Sequence, residues 1–573
     1  MHNNMTSSKL VVGAIDFGTT YSGYAFSFAH DYEKDPMKIQ ANHWIGGGHM
    51  SLKAPTTILF TPEKVFHSFG YQAEDKYADL AEEDIHKDWY YFRRFKMILH
   101  QKKTLSRKTL LYDENKKALS ALHVFSSAIK FLKDHLCNEM SKKMTEFEER
   151  DIFWMLTVPA IWTDAAKKFM REAALEAGIQ SDCLSLALEP EAASIFCKLL
   201  PVDCLKHNNS TSIEAFKAGS SYIVLDLGGG TVDVTVHHLE YDGKLSEIAR
   251  ASGGAWGGTQ VDEAYLRFLQ NVFGDEVFQA FRENNTADFL EMLREFEIKK
   301  RTINKKKEGN IVIRFAASLS ETYKEKCSKP LANHILPGHL GSSVQIKRDK
   351  IHVDANTMKK FFSDSITNTS KHVREILEEN EFKEIDTLLL VGGFAESEIV
   401  QESVKEAFPN KRIIVPSEPG LAVLKGAVLF GHNPSVMKSR ISKYTYGVEV
   451  INRFVNGSDP EKYKVFENGF YKCRYKFCPF VRAGEMVPVG TVVQKPFISD
   501  TFDVKEGFGI YGSTERNPKY VVDESCFRVG TVYFDKPLQH HTVEMRFGET
   551  EICLQCIFKS GDKKTIGFDF LCT

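Results

Sequence analysis

Two segments of the chain place an aspartate at the end of an apolar strand, directly before a turn rich in glycine and threonine. Residues 11–15 precede Asp16, residues 222–225 precede Asp226, and an apolar run follows each turn. Each segment therefore predicts a β-hairpin. The two aspartates stand 210 positions apart, as expected of a duplicated unit. The turn residues are Gly18, Thr19, Thr20 and Tyr21 in the first segment and Gly228, Gly229, Gly230 and Thr231 in the second.

Phosphate binding is the chemistry that these turns favour. Glycines leave backbone N–H groups of a tight turn open to phosphate oxygens, and threonine hydroxyls add donors. An aspartate at each strand end adds a carboxylate that can hold Mg²⁺ or its water ligands. Two ordinary β-turns are the alternative, but a second copy with a matching aspartate favours a phosphate and magnesium site.

Three further segments supply elements that could position this chemistry. Residues 153–158 predict a strand, and residues 163–178 an amphipathic helix with Thr163 as its N-cap. Residues 387–391 predict a strand that meets Gly392 and Gly393 before a helix over about 397–408. Residues 420–431 carry small side chains at helical spacing, which allows two helices to pack closely.

Composition narrows the function classes. Lys and Arg total 74 against 76 Asp and Glu, so no broad field attracts nucleic acid or an anionic membrane. The 11 cysteines are scattered and the first ten residues lack a secretory apolar run, which predicts a cytoplasmic protein. No apolar stretch is long enough to span a bilayer. Cys553 and Cys556 have zinc-like spacing, but strand alternation would send them to opposite faces.

In their order along the chain, these segments resemble the five signatures of the actin, sugar kinase and 70-kilodalton heat-shock protein superfamily. The wording is similar to the heat-shock branch at residues 15–22 (IDFGTTYS), 156–160 (LTVPA), 189–193 (EPEAA), 226–234 (DLGGGTVDV) and 390–393 (LVGG). Residues 91–97 (YFRRFKM) and 424–431 (LKGAVLFG) resemble the divergent heat shock 70 kDa protein 12 subfamily. The resemblance covers about residues 9–432.

The resemblance implies an α/β fold: an actin-like ATPase domain of two duplicated, ribonuclease H-like lobes that binds ATP or ADP with Mg²⁺. It implies the domain over residues 1–432, with lobes at about 9–205 and 220–395 and a return helix at 420–431. Asp16 and Asp226 match the carboxylates that hold hydrated magnesium. The turn residues of both hairpins match the phosphate loops. The catalytic positions it implies are Lys96, Glu189, Asp233 and Thr231.

The adenosine site can be argued from spacing as well as from the resemblance. Glu297, Lys300 and Arg301 fall on one face of a helix predicted over about 287–305. A solvated charged face is the alternative, because residues 299–307 are strongly basic. The resemblance adds Gly392 and Gly393. Phe394 stands near the position of a base-stacking arginine in ordinary family members and could stack instead.

The last part of the chain differs from the heat-shock pattern. From about Tyr446, short runs rich in Val, Phe and Tyr between turn residues predict a small β domain over 446–573. Residues 433–445 are the predicted linker, in which a basic stretch at 436–443 replaces the family's acidic, leucine-rich sequence. No long amphipathic helix follows, so we expect neither a helical lid nor an acidic tail. Basic and aromatic residues alternate over 471–477, a pattern more typical of a half-buried strand than of a nucleic-acid surface.

Three functional hypotheses follow from the sequence. The first is a slow, Mg-dependent ATPase that acts as a chaperone-like switch in the stress response, with protein clients or signalling partners on the β domain. The second is a nucleotide-gated scaffold with little or no hydrolysis. The third is a small-molecule kinase of the same fold, for which no acceptor segment is recognisable. None of the three involves nucleic acid or membrane insertion.

Overall fold

The fold is described from a computed structural model. It describes residues 9–573 apart from 47–48, 103, 202–204, 207–215, 339, 342, 468, 499–507, 533–539, 559–562, 566–570 and 572–573. Within these residues the chain has a mixed α/β fold organised around two large sheets.

The first sheet is centred on the first hairpin. Strand β1 (Val11–Phe17) pairs antiparallel with β2 (Tyr21–Phe28) and parallel with β3 (Ile152–Val158). Strand β4 (Leu184–Leu188) extends the sheet beyond β3 in parallel. Every residue of β1 and β3 is buried, because apolar runs of this kind suit strands covered on both faces. Short strands at Gln40–Ala41 and Ala54–Pro55 pair with β2.

The second sheet repeats this pairing pattern around the second hairpin. Strand β5 (Ser221–Leu227) pairs antiparallel with β6 (Val232–Leu239) and parallel with β8 (Thr387–Val391). Strand β7 (Leu245–Gly254) is antiparallel to β6, and β9 (Arg412–Pro416) is parallel to β8. Both predicted hairpins are therefore present. Leu205–Lys206, Met437–Ile441 and Met486–Pro488 are further strands of this sheet.

Helices cover the two sheets and connect their strands. The strand-turn-helix unit predicted after β3 is confirmed, because Thr163 caps α2 by accepting from the Ala166 N–H. Six of the helices are α1 (Ala121–Lys143), α2 (Asp164–Glu176), α3 (Glu189–Leu199), α4 (Thr259–Phe273), α5 (Thr286–Lys300) and α6 (Ala422–His432). The others are Ala29–Lys34, Tyr71–Glu82, Ile98–Gln101, Asp275–Asn284, Ala317–Cys327, Ala355–Lys360, Ser363–Glu378 and Glu398–Ala407.

Helices α3 and α6 pack against each other where the two sheets meet. Gly426 of α6 lies so close to α3 that a β-carbon would overlap the carbonyl oxygen of Ala192. Both helices belong to one buried core cluster that includes residues of β1, β3 and β5. The small residues at 420–431 thus allow the close helix packing that the sequence predicted.

The C-terminal β region (residues 445–565) contains two sheets around a core that includes Tyr446, Phe480 and Met545. The strand 470–481 buries Cys473 and Phe477 but leaves Tyr471 57% exposed. The strand is therefore half-buried, as predicted, although Tyr471 near its start lies in solvent. The strands are Thr445–Arg453, Lys464–Glu467, Phe470–Val481, Thr491–Ile498, Phe508–Ser513, Cys526–Val532, His540–Phe547, Cys553–Phe558 and Lys563–Thr565.

Smaller strands complete the described secondary structure. Among the described residues up to 360, four small sheets of two or three strands lie outside the two large ones. Their strands are Trp44–Gly46, His49–Ser51, Thr57–Phe60, Phe66–Phe69, Tyr90–Arg93, Leu110–Tyr112, Ala118–Ser120, Asn310–Arg314, Val344–Lys347 and Lys350–Asp354. Among the described residues, no helix combines the length and apolar character needed to cross a membrane.

Candidate functional site

The two glycine-rich turns meet between the sheets. The N–H of Gly228 donates to the carbonyl of Thr231 at 2.9 Å, which closes the second turn. Gly229 lies so close to Thr20 of the first turn that a β-carbon would overlap the threonine hydroxyl. Glycine is therefore required at this approach. The turns that the sequence assigned to phosphate binding are brought together, with the strand-end aspartates directly behind them.

Asp16, at the end of β1, is buried and held from two sides. Its Oδ2 accepts a hydrogen bond from the Nζ of Lys53 at 2.5 Å, and its Oδ1 accepts from the hydroxyl of Thr157 at 2.8 Å. Burial is the largest influence and acts to raise the pKa of Asp16, but Lys53, Lys96 and the Thr157 hydrogen bond together hold the pKa below its usual value. Asp16 is therefore ionised and already paired with a cation.

Three other carboxylates lie close to one another. One oxygen from each of Glu189, Asp226 and Asp233 lies within 4.8 Å of the others, and all three residues are buried. Asp226 ends β5, Asp233 lies on the returning strand β6, and Glu189 begins α3. Oδ1 of Asp233 has no hydrogen-bond partner within the described part of the chain. Three oxygen donors around one space suit a hard cation such as Mg²⁺.

The cluster strongly perturbs its own protonation. Burial, together with the negative charge of Glu189, raises the pKa of Asp233 to about 8. Burial and the neighbouring charges of Glu189 and Asp233 raise the pKa of Asp226 well above its usual value. A group of carboxylates that resists ionisation favours binding of a cation, because the cation removes the repulsion.

Lys96 pairs with Glu189. Its Nζ lies 2.8 Å from Oε1 of Glu189 and 5.1 Å from the centre of the Trp162 ring. Only 4% of the lysine is exposed. Surface lysines in a basic segment do not have such surroundings, so Lys96 belongs to the carboxylate site.

The predicted adenosine residues lie at the end of α5, which stops at Lys300 and not at 305. Oε2 of Glu297 lies 2.5 Å from Nζ of Lys300, and Oε1 accepts from Nε of Arg301 at 2.9 Å. Burial acts to raise the pKa of Glu297, but Lys300 and Arg301 hold it at about 2. The guanidinium of Arg301 lies 5.5 Å from the centre of the Tyr21 ring. The three residues thus share one face, as predicted, and reach the first turn.

Phe394 lies beside the second turn but faces the protein interior. Gly392 has a φ of 90°, and a β-carbon at this position would overlap Oδ1 of Asp226 and the carbonyl oxygen of Leu227. Gly393 begins a short 3-10 helix that carries Phe394. The Phe394 ring lies parallel to that of Phe362, with centroids 6.3 Å apart, and packs against the second sheet's core. Part of the Phe394 ring is therefore covered by other residues of the protein.

Comparison with known families decides how this arrangement is classified. A family model described as "Hsp70 protein" matches residues 14–441, which include both turns and all four carboxylates. The chain belongs to the Hsp70 family. Members of this family bind ATP or ADP.

Individual relatives of this Hsp70 protein agree with the family match. It is 33% identical to heat shock 70 kDa protein 12A of Mus musculus over 98% of this chain and 92% of the relative. It is 36% identical to heat shock 70 kDa protein 12B of Homo sapiens over 99% and 92%. Chaperone protein DnaK of Thermosipho melanesiensis is 24% identical over 52% of this chain and 44% of the relative. The predicted resemblance to the heat-shock branch is confirmed.

The structure of this Hsp70 protein also contains site residues that the sequence did not indicate. Lys53 and Thr157 both contact Asp16, and Trp162 lies against Lys96. Arg94 forms an ion pair with Asp262, whose other oxygen pairs with Lys300 at 2.6 Å. Residue type gave no signal for these partners, since each contact joins segments that are distant in sequence.

The segment after β3 connects this site to the C-terminal β region. The backbone of Ile161 hydrogen-bonds to the carboxylate of Asp233, and its carbonyl accepts from the Nζ of Lys443 at 2.5 Å. Asp164, at the start of α2, accepts from the hydroxyl of Tyr446 at 2.6 Å. Ile161 therefore contacts both the carboxylate cluster and Lys443 of the predicted linker, and Asp164 contacts the first residues of the β region.

The predicted linker contains a strand that is part of the second sheet. Met437–Ile441 pairs in parallel with β7 and antiparallel with Met486–Pro488. Arg440 makes a bidentate ion pair with Glu191 of α3, at 2.6 and 2.7 Å, and both side chains are buried. The charge of Arg440, one of the basic residues in this stretch, is thus neutralised inside the protein.

Proposed function

We propose that this Hsp70 protein is a Mg²⁺-dependent, slow ATPase that acts as a chaperone-like switch. In this proposal the nucleotide lies between two duplicated, actin-like lobes, and its state controls a protein partner held by the C-terminal β region. The observation that carries the proposal is the convergence of two glycine-rich turns on four buried carboxylates. The matching strand order of the two sheets supports the duplication.

The turns are the proposed phosphate-binding elements. Their backbone N–H groups and the hydroxyls of Thr19, Thr20 and Thr231 are suited to phosphate oxygens. Glu297, Lys300 and Arg301, near Tyr21, are the proposed contacts to the adenosine. Phe394 would contact the base only with the part of its ring that Phe362 leaves free.

The sequence assigned magnesium to Asp16 and Asp226. Because Lys53 already pairs with Asp16, the proposed magnesium carboxylates are Asp226 and Asp233, with Glu189 and Asp16 beside them. The fit rests on the oxygen-only donors within 4.8 Å and on the unpartnered Oδ1 of buried Asp233. When bound, magnesium neutralises phosphate charge and helps orient the terminal phosphoryl group.

The remaining polar groups suit hydrolysis. A pKa of about 8 keeps Asp233 mostly protonated at neutral pH, so it would accept a proton from a water molecule only once a bound cation has lowered that pKa. Lys96, fixed by Glu189 and Trp162, places a positive charge where negative charge would develop on the phosphoryl oxygens.

The connection through Ile161 is the proposed route from nucleotide to partner. A change of charge at Asp233 acts on the backbone of Ile161, to which it is hydrogen-bonded. The carbonyl of Ile161 in turn accepts a hydrogen bond from Lys443. The buried Arg440–Glu191 pair fixes the linker strand to α3, whose first residue is Glu189. Nucleotide binding therefore has a direct structural path to the β region. A cytoplasmic location stays a proposal that rests on cysteine usage.

A nucleotide-gated scaffold is the second candidate. It is favoured by the inward packing of Phe394 and by the ion pairs that already occupy Glu297, Lys300 and Arg301, since both features limit contacts to the base. The two candidates share the binding site and differ in turnover.

One experiment separates these candidates. Full-length protein is incubated with Mg²⁺ and ATP labelled on the terminal phosphate, and free phosphate and bound label are followed over time. Lys96→Ala and Asp226→Asn are run in parallel, with Lys38→Ala, a surface lysine paired with Asp31, as the matched control. Slow release that is lost in the two site variants and kept in the control supports the ATPase. Bound, unhydrolysed ATP supports the scaffold, and no binding contradicts both.

A further inference from the structure

Lys53 is a second lysine in the carboxylate site, and the activity proposed above does not use it. It lies between the strands His49–Ser51 and Ala54–Pro55. Ala54 is paired with Ser22 at the start of β2, so this edge strand delivers the lysine to the first turn. The Nζ of Lys53 lies 2.5 Å from Oδ2 of Asp16, and the lysine side chain is 17% exposed.

This ion pair is not required to hold Asp16 in place. Thr157 already fixes the other oxygen of the carboxylate at 2.8 Å, and β1 is anchored by its pairing on both sides. What Lys53 adds is a positive charge behind the first glycine-rich turn. Lysine ammonium groups bind phosphate as point charges.

Cations are distributed unevenly over the four carboxylates. Asp16 pairs with Lys53 and Glu189 pairs with Lys96, whereas Asp226 and Asp233 have no ion-pair partner in the described segments. The positive charge of Lys53 also acts on Asp226 and Glu189 and opposes the rise in their pKa. The half of the site on the first sheet thus has its own cation, and the half on the second sheet needs one.

We propose that Lys53 is a phosphate-binding residue that does, on the first sheet's side of the site, part of what a metal ion would otherwise do. The metal requirement then lies with Asp226 and Asp233, and nucleotide binds with a measurable affinity when magnesium is removed. This inference rests on the nucleotide binding proposed above and specifies how the phosphates are held.

The test is direct binding of ADP and ATP to full-length protein by calorimetry, once with excess Mg²⁺ and once with EDTA. Wild type is compared with Lys53→Met, which keeps the side-chain length without the charge, and with Lys38→Met as the matched control. We expect wild type and control to keep measurable binding in EDTA. In EDTA we expect the nucleotide affinity of Lys53→Met to be about tenfold to hundredfold lower than that of wild type, the effect of removing one charged hydrogen bond. In magnesium we expect a smaller difference.

Lys53→Gln and Lys53→Arg separate a loss of charge from a loss of folding. The thermal midpoint of each variant is measured first. Lys53→Gln keeps a hydrogen-bond donor and should behave like Lys53→Met, whereas Lys53→Arg should restore binding in EDTA.

Three outcomes would overturn the inference. If the removal of magnesium weakens nucleotide binding by the same factor in wild type and in Lys53→Met, then Lys53 does not contact phosphate. Tighter binding by Lys53→Met would show that the lysine only blocks Asp16. Absence of nucleotide binding by wild type in magnesium would overturn the proposed function itself, and this inference with it.

Discussion

Lys96 and Glu189 are 93 positions apart in the sequence, yet the Nζ of the lysine donates to the Oε1 of the glutamate at 2.8 Å inside the protein. The centre of the Trp162 ring lies 5.1 Å from the same Nζ. Glu189 in turn lies beside Asp226 and Asp233. This pair therefore joins a fixed positive charge to the cluster that is proposed to hold the metal.

Replacement of Lys96 is expected to separate catalysis from binding. In Lys96→Ala we predict a fall in phosphate release of about 10²–10³-fold, comparable to the loss of one preorganised charge-stabilising group. ADP affinity should change much less, because the turn residues still hold the phosphates. Single-turnover assays and ADP calorimetry measure the two quantities. An equal loss of affinity and rate would instead assign Lys96 to binding alone.

The carboxylate cluster predicts an unusual dependence of stability on pH. The pKa of Asp233 is about 8 in the folded protein and about 3.9 in an unfolded chain. Between these two pH values, the folded state keeps a proton that the unfolded state releases. The free energy of unfolding therefore falls by up to ~1.4 kcal/mol for each unit by which the pH rises.

The substitution Asp233→Asn removes this pH-dependent loss of stability. Without nucleotide or magnesium, we predict that the variant unfolds at higher urea than wild type at pH 7.5, with a smaller difference at pH 5.5. Urea titrations at both pH values provide the test, and excess Mg²⁺ should narrow the difference at pH 7.5 if the cation relieves the same repulsion. A difference that does not vary with pH would contradict the assignment.

The buried pair Arg440–Glu191 should hold the linker strand in place. Arg440→Ala leaves a buried, uncompensated carboxylate, which costs about 3–5 kcal/mol. We predict faster hydrogen exchange in Met437–Ile441 and a weaker effect of nucleotide on proteolysis of the β region. Arg440→Met with Glu191→Gln removes both charges and should recover part of the stability. Lys130→Ala, from an exposed pair with Asp134, is the control and should change neither readout.

Gly426 is expected to be essential for packing between α3 and α6. In Gly426→Ala the new methyl group overlaps the Ala192 carbonyl, and overpacking of this kind costs about 1–3 kcal/mol. Gly338→Ala, where a β-carbon meets open space, is the matched control. Thermal unfolding of both variants should show a lower midpoint only for Gly426→Ala; equal midpoints would show that the helices adjust without cost.

Local pattern was sufficient to predict the hairpins and the capped helix α2. The apolar runs before Asp16 and Asp226 and the glycines after them are signals contained within a few residues. The Cys553 and Cys556 side chains are also placed as alternation predicts, with Cys553 exposed and Cys556 buried.

Contacts between distant segments could not be predicted in this way. Lys53 reaches Asp16 only because its edge strand pairs with β2, a choice that neither segment encodes alone. The basic stretch at 436–443 gave no sign of a buried ion pair, because the partner of Arg440, Glu191, lies 249 positions away. Burial of a charge depends on such a partner, and composition does not show it.

Magnesium and nucleotide are proposed to bind together at the carboxylates between the two turns. Calorimetric titration of full-length wild type and Asp226→Asn with ADP, in magnesium and in EDTA, measures this coupling. We expect Asp226→Asn to weaken ADP binding about tenfold or more in magnesium, as when a group that holds a metal is changed, and to leave binding in EDTA close to that of wild type. Equal affinity of the two proteins in magnesium would contradict this proposal.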